Sequence, residues 1–446
     1  MGVAKYTGGF GREQAERLIW RAGFGPKPGQ LDKLAGLGMK AAVRSLTRPE
    51  GAAKLTGPKP VDEDGNPLAP NDVWGHDHVW WLDRMVRSNQ SLVERMALNW
   101  HDWFATSDQA AKMMIAQSNL FRSNALGSFD QLLLGVTKDK AMLAWLSGLW
   151  NTKWSPNENY ARELMELFTL GASDERGYPY SEDDVREQAR ALTGWQADWS
   201  DGIGLHNYRF DRKAHDAGTK TVFGKSGRFD WTDACRLCLE HDAHAPYLVD
   251  RLWSYFVPEA PDAATRDALV ASYRKGYRIR PLVEAILQHP RFYEGPKMVK
   301  PPVVHAAGLL RARGEGVKTD SWVWICDQAG QRLFQPPNVA GWDEARWMDT
   351  STFRGRWLAA NEIARHDVID WDDGYSQTET PEQSVDKALR YWGEPTLSSG
   401  GRAALEDYAR AAEARIVANW QRGPFRATRQ NALRVLIATC PDLQAV

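Results

Sequence analysis

Between residues 73 and 171 apolar side chains recur at three- and four-residue intervals, with short breaks only near 88–90, Gly127 and 150–156. That period belongs to helices and not to strands, and amphipathic helices must bury their stripes against one another. The expected core of the fold is therefore a bundle of about five or six helices over this span. The same period marks 12–24, stopped by Gly25, Pro26 and Pro28, and continues at about 31–46. Residues 47–72 hold too many prolines and glycines for regular structure and read as a loop or arm.

Helical patterning resumes at 231–312 and runs on through 322–333, with interruptions at Val257-Pro258 and His289-Pro290. Between them, 195–230 is irregular and glycine-rich, and only the runs NYRF and KTVF look strand-like, which predicts a small hairpin or ordered loop. The fold class expected is all-α: a multi-helix globular bundle with a long irregular loop or hairpin insertion. An acidic, polar stretch at 367–383 is the plausible boundary between a main helical domain, 1–365, and a smaller helical C-terminal region, 366–446, of three helices.

Composition narrows the function classes. Apolar residues make up 43% and charged residues 25% of 446, as in an ordinary globular chain. Lys and Arg total 56 against 57 Asp and Glu, so the chain carries no global charge that would suit nucleic acid or anionic membranes. No window approaches 18 apolar residues, which excludes a membrane-spanning helix, and the N-terminal stretch lacks the apolar run of a secretory signal. The expectation is a cytoplasmic chain. Four cysteines are too few for a disulfide framework. Tryptophan, at 21, outnumbers both Phe and Tyr; such rings serve either as core or as a stacking surface for sugar rings and other flat ligands.

The densest polar motif is PNENYARELMELFTLG, 156–171, with Pro near a helix start and Gly at its end. On a regular helix Asn159, Arg162, Glu163, Glu166 and Thr169 share an arc of about 120°, opposite Tyr160, Leu164, Leu167 and Phe168. This face is either solvated, with an Arg162–Glu166 pair, or an inward carboxylate cluster. In the second case Glu163 and Glu166 form an i,i+3 pair like those of bundle metal sites, which take a histidine from elsewhere. His101, in Trp100-His101-Asp102-Trp103-Phe104, and His215, beside Asp216, supply candidates. A divalent metal held by Glu163, Glu166 and His215 is one expectation. In it Glu163, Glu166, His215, Asp216 and His101 carry the chemistry, while Asn159, Arg162, Lys220 and Trp195 bind substrate.

Ser181 to Asp184 reads as a capping box opening a helix that runs to about Thr193. Cys235, Cys238, His241 and His244 imitate a zinc signature, but successive three-residue steps on a helix drift by about 180° over the set, so one ion does not collect them. No Gly-x-Ser-x-Gly elbow, P-loop or His-Glu-x-x-His motif occurs.

The runs RLIWRAGFGPKPGQL (17–31), ERMALNWHDWFATS (94–107), PNENYARELMELFTLG, DDVREQARALTGW (183–195), HDAGTKTVFGKSG (215–227) and LFQPPNVAGW (333–342) occur in this order. Together they resemble the bacterial domain-of-unknown-function family 1800 over about residues 12–365. The resemblance implies a mostly helical fold, relatives that are often exported, and no established activity. Where many members have Trp-His-x-His-Phe, this chain has His101-Asp102-Trp103-Phe104, so Trp103 replaces the second histidine.

Two functions of different class follow. One is a hydrolase with a carboxylate/His centre, with or without the metal described above, acting on a polar, carbohydrate-like substrate. The other is a non-catalytic binding or structural protein using Trp-rich surfaces, with the Glu/Arg cluster purely structural. A small-molecule or saccharide ligand is the partner expected in either case. The segment 215–227 mixes His, Asp, Lys and Thr with Gly218, Gly224 and Gly227, and is expected to fold back and bring His215 or Asp216 to the Asn159/Glu163/Glu166 face.

Overall fold

The computed structural model of the chain describes residues 2–107, 109–172, 177–370, 375 and 378–446. Among the described residues the fold is mostly helical, and its strands make two antiparallel two-stranded sheets. Both sheets lie in the irregular section. Trp195–Ser200 pairs with Gly204–Phe210, with a bulge between Gln196 and Asp198, and Lys220–Val222 pairs with Lys225–Gly227. The NYRF and KTVF runs thus lie in two separate hairpins, and mostly helical replaces the all-α expectation.

The chain folds into two compact units that interleave along the sequence. The first comprises Met1–Lys5, Met96–Phe292 and Phe334–Trp342, and the second Tyr6–Arg95, Tyr293–Leu333 and Asp343–Val446. None of these divisions falls at residue 365. In the second unit the C-terminal helices Pro381–Tyr391, Ser399–Glu413 and Arg422–Thr439 pack with earlier segments. Buried Lys300 donates to the Leu443 carbonyl at 2.7 Å, and Arg356 joins the Lys300 carbonyl (2.7 Å) to Gln444 (3.3 Å). Of the polar stretch 367–383, residues 371–374, 376 and 377 lie outside the described residues, and the segments before and after it belong to the same unit.

The first unit carries every candidate site residue. Its core is aromatic: Trp100, Trp103, Phe104, Phe121, Phe129 and Phe168 are all fully buried, with Trp100–Trp103 centroids 5.5 Å apart and Phe104–Phe168 5.1 Å apart. Such edge and tilted contacts add to the large apolar area these rings remove from water. The helix Glu182–Ala191 opens with the expected capping box: Ser181 Oγ accepts from the Asp184 amide (3.2 Å) and Asp184 Oδ2 from the Ser181 amide (2.8 Å). Two carboxylates of this helix then accept amides of the second hairpin, Asp184 from Phe223 at 2.7 Å and Glu187 from Thr221 at 3.0 Å. The hairpin is pinned along the helix by its otherwise unpaired edge.

Two glycines of the second unit make opposite predictions for the same chemical change. In the helix Phe353–Ala364, a Cβ on Gly355 would overlap the backbone nitrogen of Ala329, whereas Gly36, in the helix Gln30–Leu37, has nothing within 4 Å. Gly355→Ala is expected to destabilise the protein by at least about 2 kcal/mol through overpacking. Gly36→Ala should be neutral or stabilise by about 0.5 kcal/mol, because alanine loses less backbone entropy on folding. Thermal melting of the two variants checks both signs.

Candidate functional site

The Asn-Glu motif begins with side chains ordering the backbone ahead of it. Asn151 Oδ1 accepts from the Asn157 amide (2.9 Å) and Asn157 Oδ1 from the Asn159 amide (3.0 Å). The helix Asn159–Glu163 then widens into a π-helical turn, Leu164–Thr169, in which Leu170 N donates to Met165 O at 2.8 Å and Thr169 Oγ1 to Leu164 O at 2.5 Å. An i→i+5 turn holds one residue more than an α turn, so every side chain beyond it is rotated from where a 100° wheel puts it. Thr169 is accordingly fully buried, not on the polar face. Glu166 does not pair with Arg162; the guanidinium takes Glu158 (3.2 Å) and Glu182 (2.8 Å) instead.

Glu163 and Glu166 are each half-buried on this segment. Burial first, and then the neighbouring Glu166 charge, hold the Glu163 carboxyl above its ordinary pKa. Tyr180 Oη lies 3.5 Å from Glu166 and donates to it. Asn159 is exposed, its amide 3.4 Å from Ser147 Oγ.

The loop after the first hairpin does fold onto the helical body, at the far end of Glu182–Ala191. His215 Nδ1 sits 2.9 Å from the Thr193 carbonyl and 3.3 Å from its hydroxyl. Asp216 accepts from Arg190 Nε and the Gly218 amide, both at 2.8 Å. Burial works to raise the Asp216 pKa, but these bonds outweigh it and hold the carboxylate ionised. Lys220 is buried and donates to the Asp216 and Phe229 carbonyls, which makes it a clasp of the loop and occupies its ammonium. Trp195 is half-buried between the Phe210 and Trp231 rings.

Arg162 grips Glu182 at one end of this helix, while His215 and Asp216 are fastened to Arg190 and Thr193, at least eight residues on, about 12 Å of helix rise. The candidates therefore form two groups, Asn159/Arg162/Glu163/Glu166 and His215/Asp216/Lys220. Among the described residues no set of three or more His, Cys, Asp or Glu side chains is placed to hold a metal ion, so Glu163, Glu166 and His215 are not assembled as a divalent-metal centre. Cys235 is buried against Thr137 Oγ1 (3.1 Å), its thiol pushed up to about 12, and Cys238 accepts from Gln188.

His101 belongs to the core: it is buried against Phe121, Phe334 and Trp342, and burial takes its imidazole down to about 3. A ring that stays neutral there is a poor proton carrier. Its neighbour Asp102 makes specific polar contacts. Its carboxylate accepts from Tyr255 Oη (2.6 Å) and from the Trp342 amide (2.9 Å), and burial raises its pKa. Gly341, at φ 96°, passes so close to Asp102 that a Cβ would overlap it.

Three successive carbonyls at the end of the π turn are met by side chains from distant segments. Leu167 O accepts from Tyr247 Oη and Arg251, both at 2.6 Å; Phe168 O accepts from Trp103 Nε1 at 3.1 Å; Thr169 O lies 2.9 Å from His244 Nδ1. Since a carbonyl only accepts, His244 Nδ1 carries the proton and Nε2 accepts from Tyr273 Oη at 2.8 Å.

A sequence-family model described as a protein of unknown function (DUF1800) matches residues 17–445. The chain belongs to that family. No curated protein and no solved structure matches it. In this DUF1800 member Trp103 is the donor to the Phe168 carbonyl. The contacts missed at sequence level, Asp102–Trp342 and Trp103–Phe168, each join two of the quoted motifs, but nothing local signals which residues meet.

Buried histidines give a pH prediction. His101 at about 3 and His244 at about 4 are both depressed by burial from an unfolded value near 6.5. Between those limits the unfolded chain binds protons that the folded chain refuses. Stability is complete above about pH 6.5 and falls as pH drops, by about 1.4 kcal/mol per pH unit for each histidine. The melting temperature should decline from pH 7 to 5, and His101→Gln should flatten the decline; equal slopes would contradict this account.

Proposed function

We propose that this DUF1800 protein is a non-catalytic binding protein for a polar, carbohydrate-like ligand, taken up on tryptophans beside the Asn-Glu helix. The observation that carries the reading is the exposure of Trp150 (58%), Trp154 (71%) and Trp199 (69%) in the first unit, whose other tryptophans are buried or half-buried; the exposed Trp74, Trp324, Trp357 and Trp420 belong to the second unit. Trp150 precedes a tight turn closed by the Thr152–Ser155 bridge, Trp154 lies within it, and Lys153 lies over the Trp154 ring at 4.8 Å. The strand bearing Trp199 packs on Gly148–Trp150, and the Gly194 amide just ahead of it donates to the Asn151 carbonyl at 3.1 Å. Flat amphipathic faces of this kind suit sugar rings.

A nearby depression of about 620 Å³, lined by Glu158, Asp183, Arg186, Glu187 and Arg190 among others, adds the forked donors and acceptors that pairs of hydroxyls use. The side chains that a hydrolase would need free, by contrast, are largely committed: Arg162 to two carboxylates, Asp216 to Arg190 and Lys220 to two carbonyls.

Affinity electrophoresis through gels containing neutral polysaccharides tests the reading. The protein should be retarded by at least one of them, and the double variant Trp154→Ala/Trp199→Ala should run unretarded while melting as the parent does. Free migration of the parent in every gel, or unchanged retardation of the variant, overturns it.

One observation favours a second reading, hydrolysis. Glu163 is a half-buried carboxyl with a raised pKa beside a second carboxylate, the pairing a general acid and its partner require. In that case the retarding polysaccharide releases reducing ends with the parent protein, and Glu163→Gln abolishes release without altering retardation. No release by the parent leaves binding alone.

A further inference from the structure

The first unit contains a cavity of about 660 Å³ on the other side of the π turn's end, whose walls include Gly171, Pro179, Tyr247, Asp250, Arg251 and Arg266. Its volume falls within the range of small-molecule sites. Two guanidiniums, from the helices His244–Ser254 and Ala263–Tyr273, line it with one wall carboxylate, while the buried Asp102 carboxyl behind Arg251 acts on that arginine from outside the lining.

The two arginines differ in how they are held. Among the described residues Arg251 has no carboxylate within ion-pair distance; its hydrogen bonds go to the Leu167 carbonyl (2.6 Å), the Tyr247 hydroxyl (3.1 Å) and the Asp102 carbonyl (3.5 Å), and its guanidinium lies 4.5 Å from the Trp103 ring centroid. These contacts fix the orientation of the charge and leave part of its five-donor fork unused. Arg266 pairs with Asp250 through Nη2 alone, and its Nε is buried without a hydrogen-bond partner.

We propose that this cavity is a binding site for a small organic oxyanion, a molecule carrying a phosphate or carboxylate group that bridges Arg251 and Arg266. Paired forks from two different helices recognise planar or tetrahedral oxyanions through charge-assisted bonds. Asp250 is the internal competitor: it occupies Nη2 of Arg266 and its charge opposes the ligand. The proposal is independent of the tryptophan surface and adds a second ligand class to it.

The experiment is isothermal titration of the full chain with inorganic phosphate and, separately, with citrate, at low and moderate salt. Binding of at least one probe, weakened by salt, is expected. Arg266→Gln should weaken it at least tenfold. Asp250→Asn should tighten it, a gain that loss of structure does not produce and that stands even where Arg266→Gln fails to fold. Arg291→Gln, an exposed arginine paired with Glu259, should leave it unchanged. Phosphate binding alone assigns a phosphate-bearing ligand, and citrate binding alone a carboxylate. Binding of neither probe overturns the proposal, as does equal affinity in Arg266→Gln and the parent, or weaker binding in Asp250→Asn.

Discussion

The capping of three consecutive carbonyls, Leu167, Phe168 and Thr169, is the interaction on which the rest of the first unit depends. A π turn is rarer than an α turn because it trades good hydrogen-bond geometry for an extra residue, and it persists only where tertiary contacts compensate. Here the compensation comes from Tyr247, Arg251, Trp103 and His244, supplied by two helices whose own positions are set by the same bonds. Unmade, each buried carbonyl would cost about 1–3 kcal/mol. Made, they tie the Asn-Glu helix to Ser91–Trp103 on one side and to His244–Ser254 on the other.

That tie has consequences for both proposed ligand surfaces. At its start the segment presents Arg162 to Glu158 and Glu182, which docks the helix Glu182–Ala191 with its two hairpin-capping carboxylates. Toward the other end it brings Gly171, at φ 78°, against the Tyr247 ring, where a side chain would collide. The same Tyr247 and Arg251 that cap Leu167 line the cavity there. A structural device and a cavity wall thus share residues, with the carbonyl contacts orienting the charge.

Much of the local structure is legible in the sequence because its causes are local. Pro156 and Gly171 bound the Asn-Glu segment, and the Ser181/Asp184 box starts the next helix where the pattern puts it. The π turn is not legible: one inserted residue leaves the apolar spacing of Leu164, Leu167 and Phe168 compatible with an ordinary helix. Thr169, fully buried, is misplaced by a regular wheel for that reason. The loop 215–227 is recognisable as a segment with specific contacts, but its partners, Arg190 and Thr193, sit on the preceding helix end, the cheapest closure for a chain that has just left it. Asp102 and Trp342, 240 residues apart, meet only through the tertiary fold.

The most direct test of the central claim is site-resolved amide hydrogen exchange across 164–171, in the parent protein and in Trp103→Phe, which keeps a large ring and removes the donor to Phe168. The account predicts a protected Leu170 amide in the parent, as its bond to Met165 requires. In the variant it predicts protection lost through this stretch but retained in Glu182–Ala191. Rapid exchange at Leu170 in the parent, or identical protection of the π turn in both proteins, would contradict it.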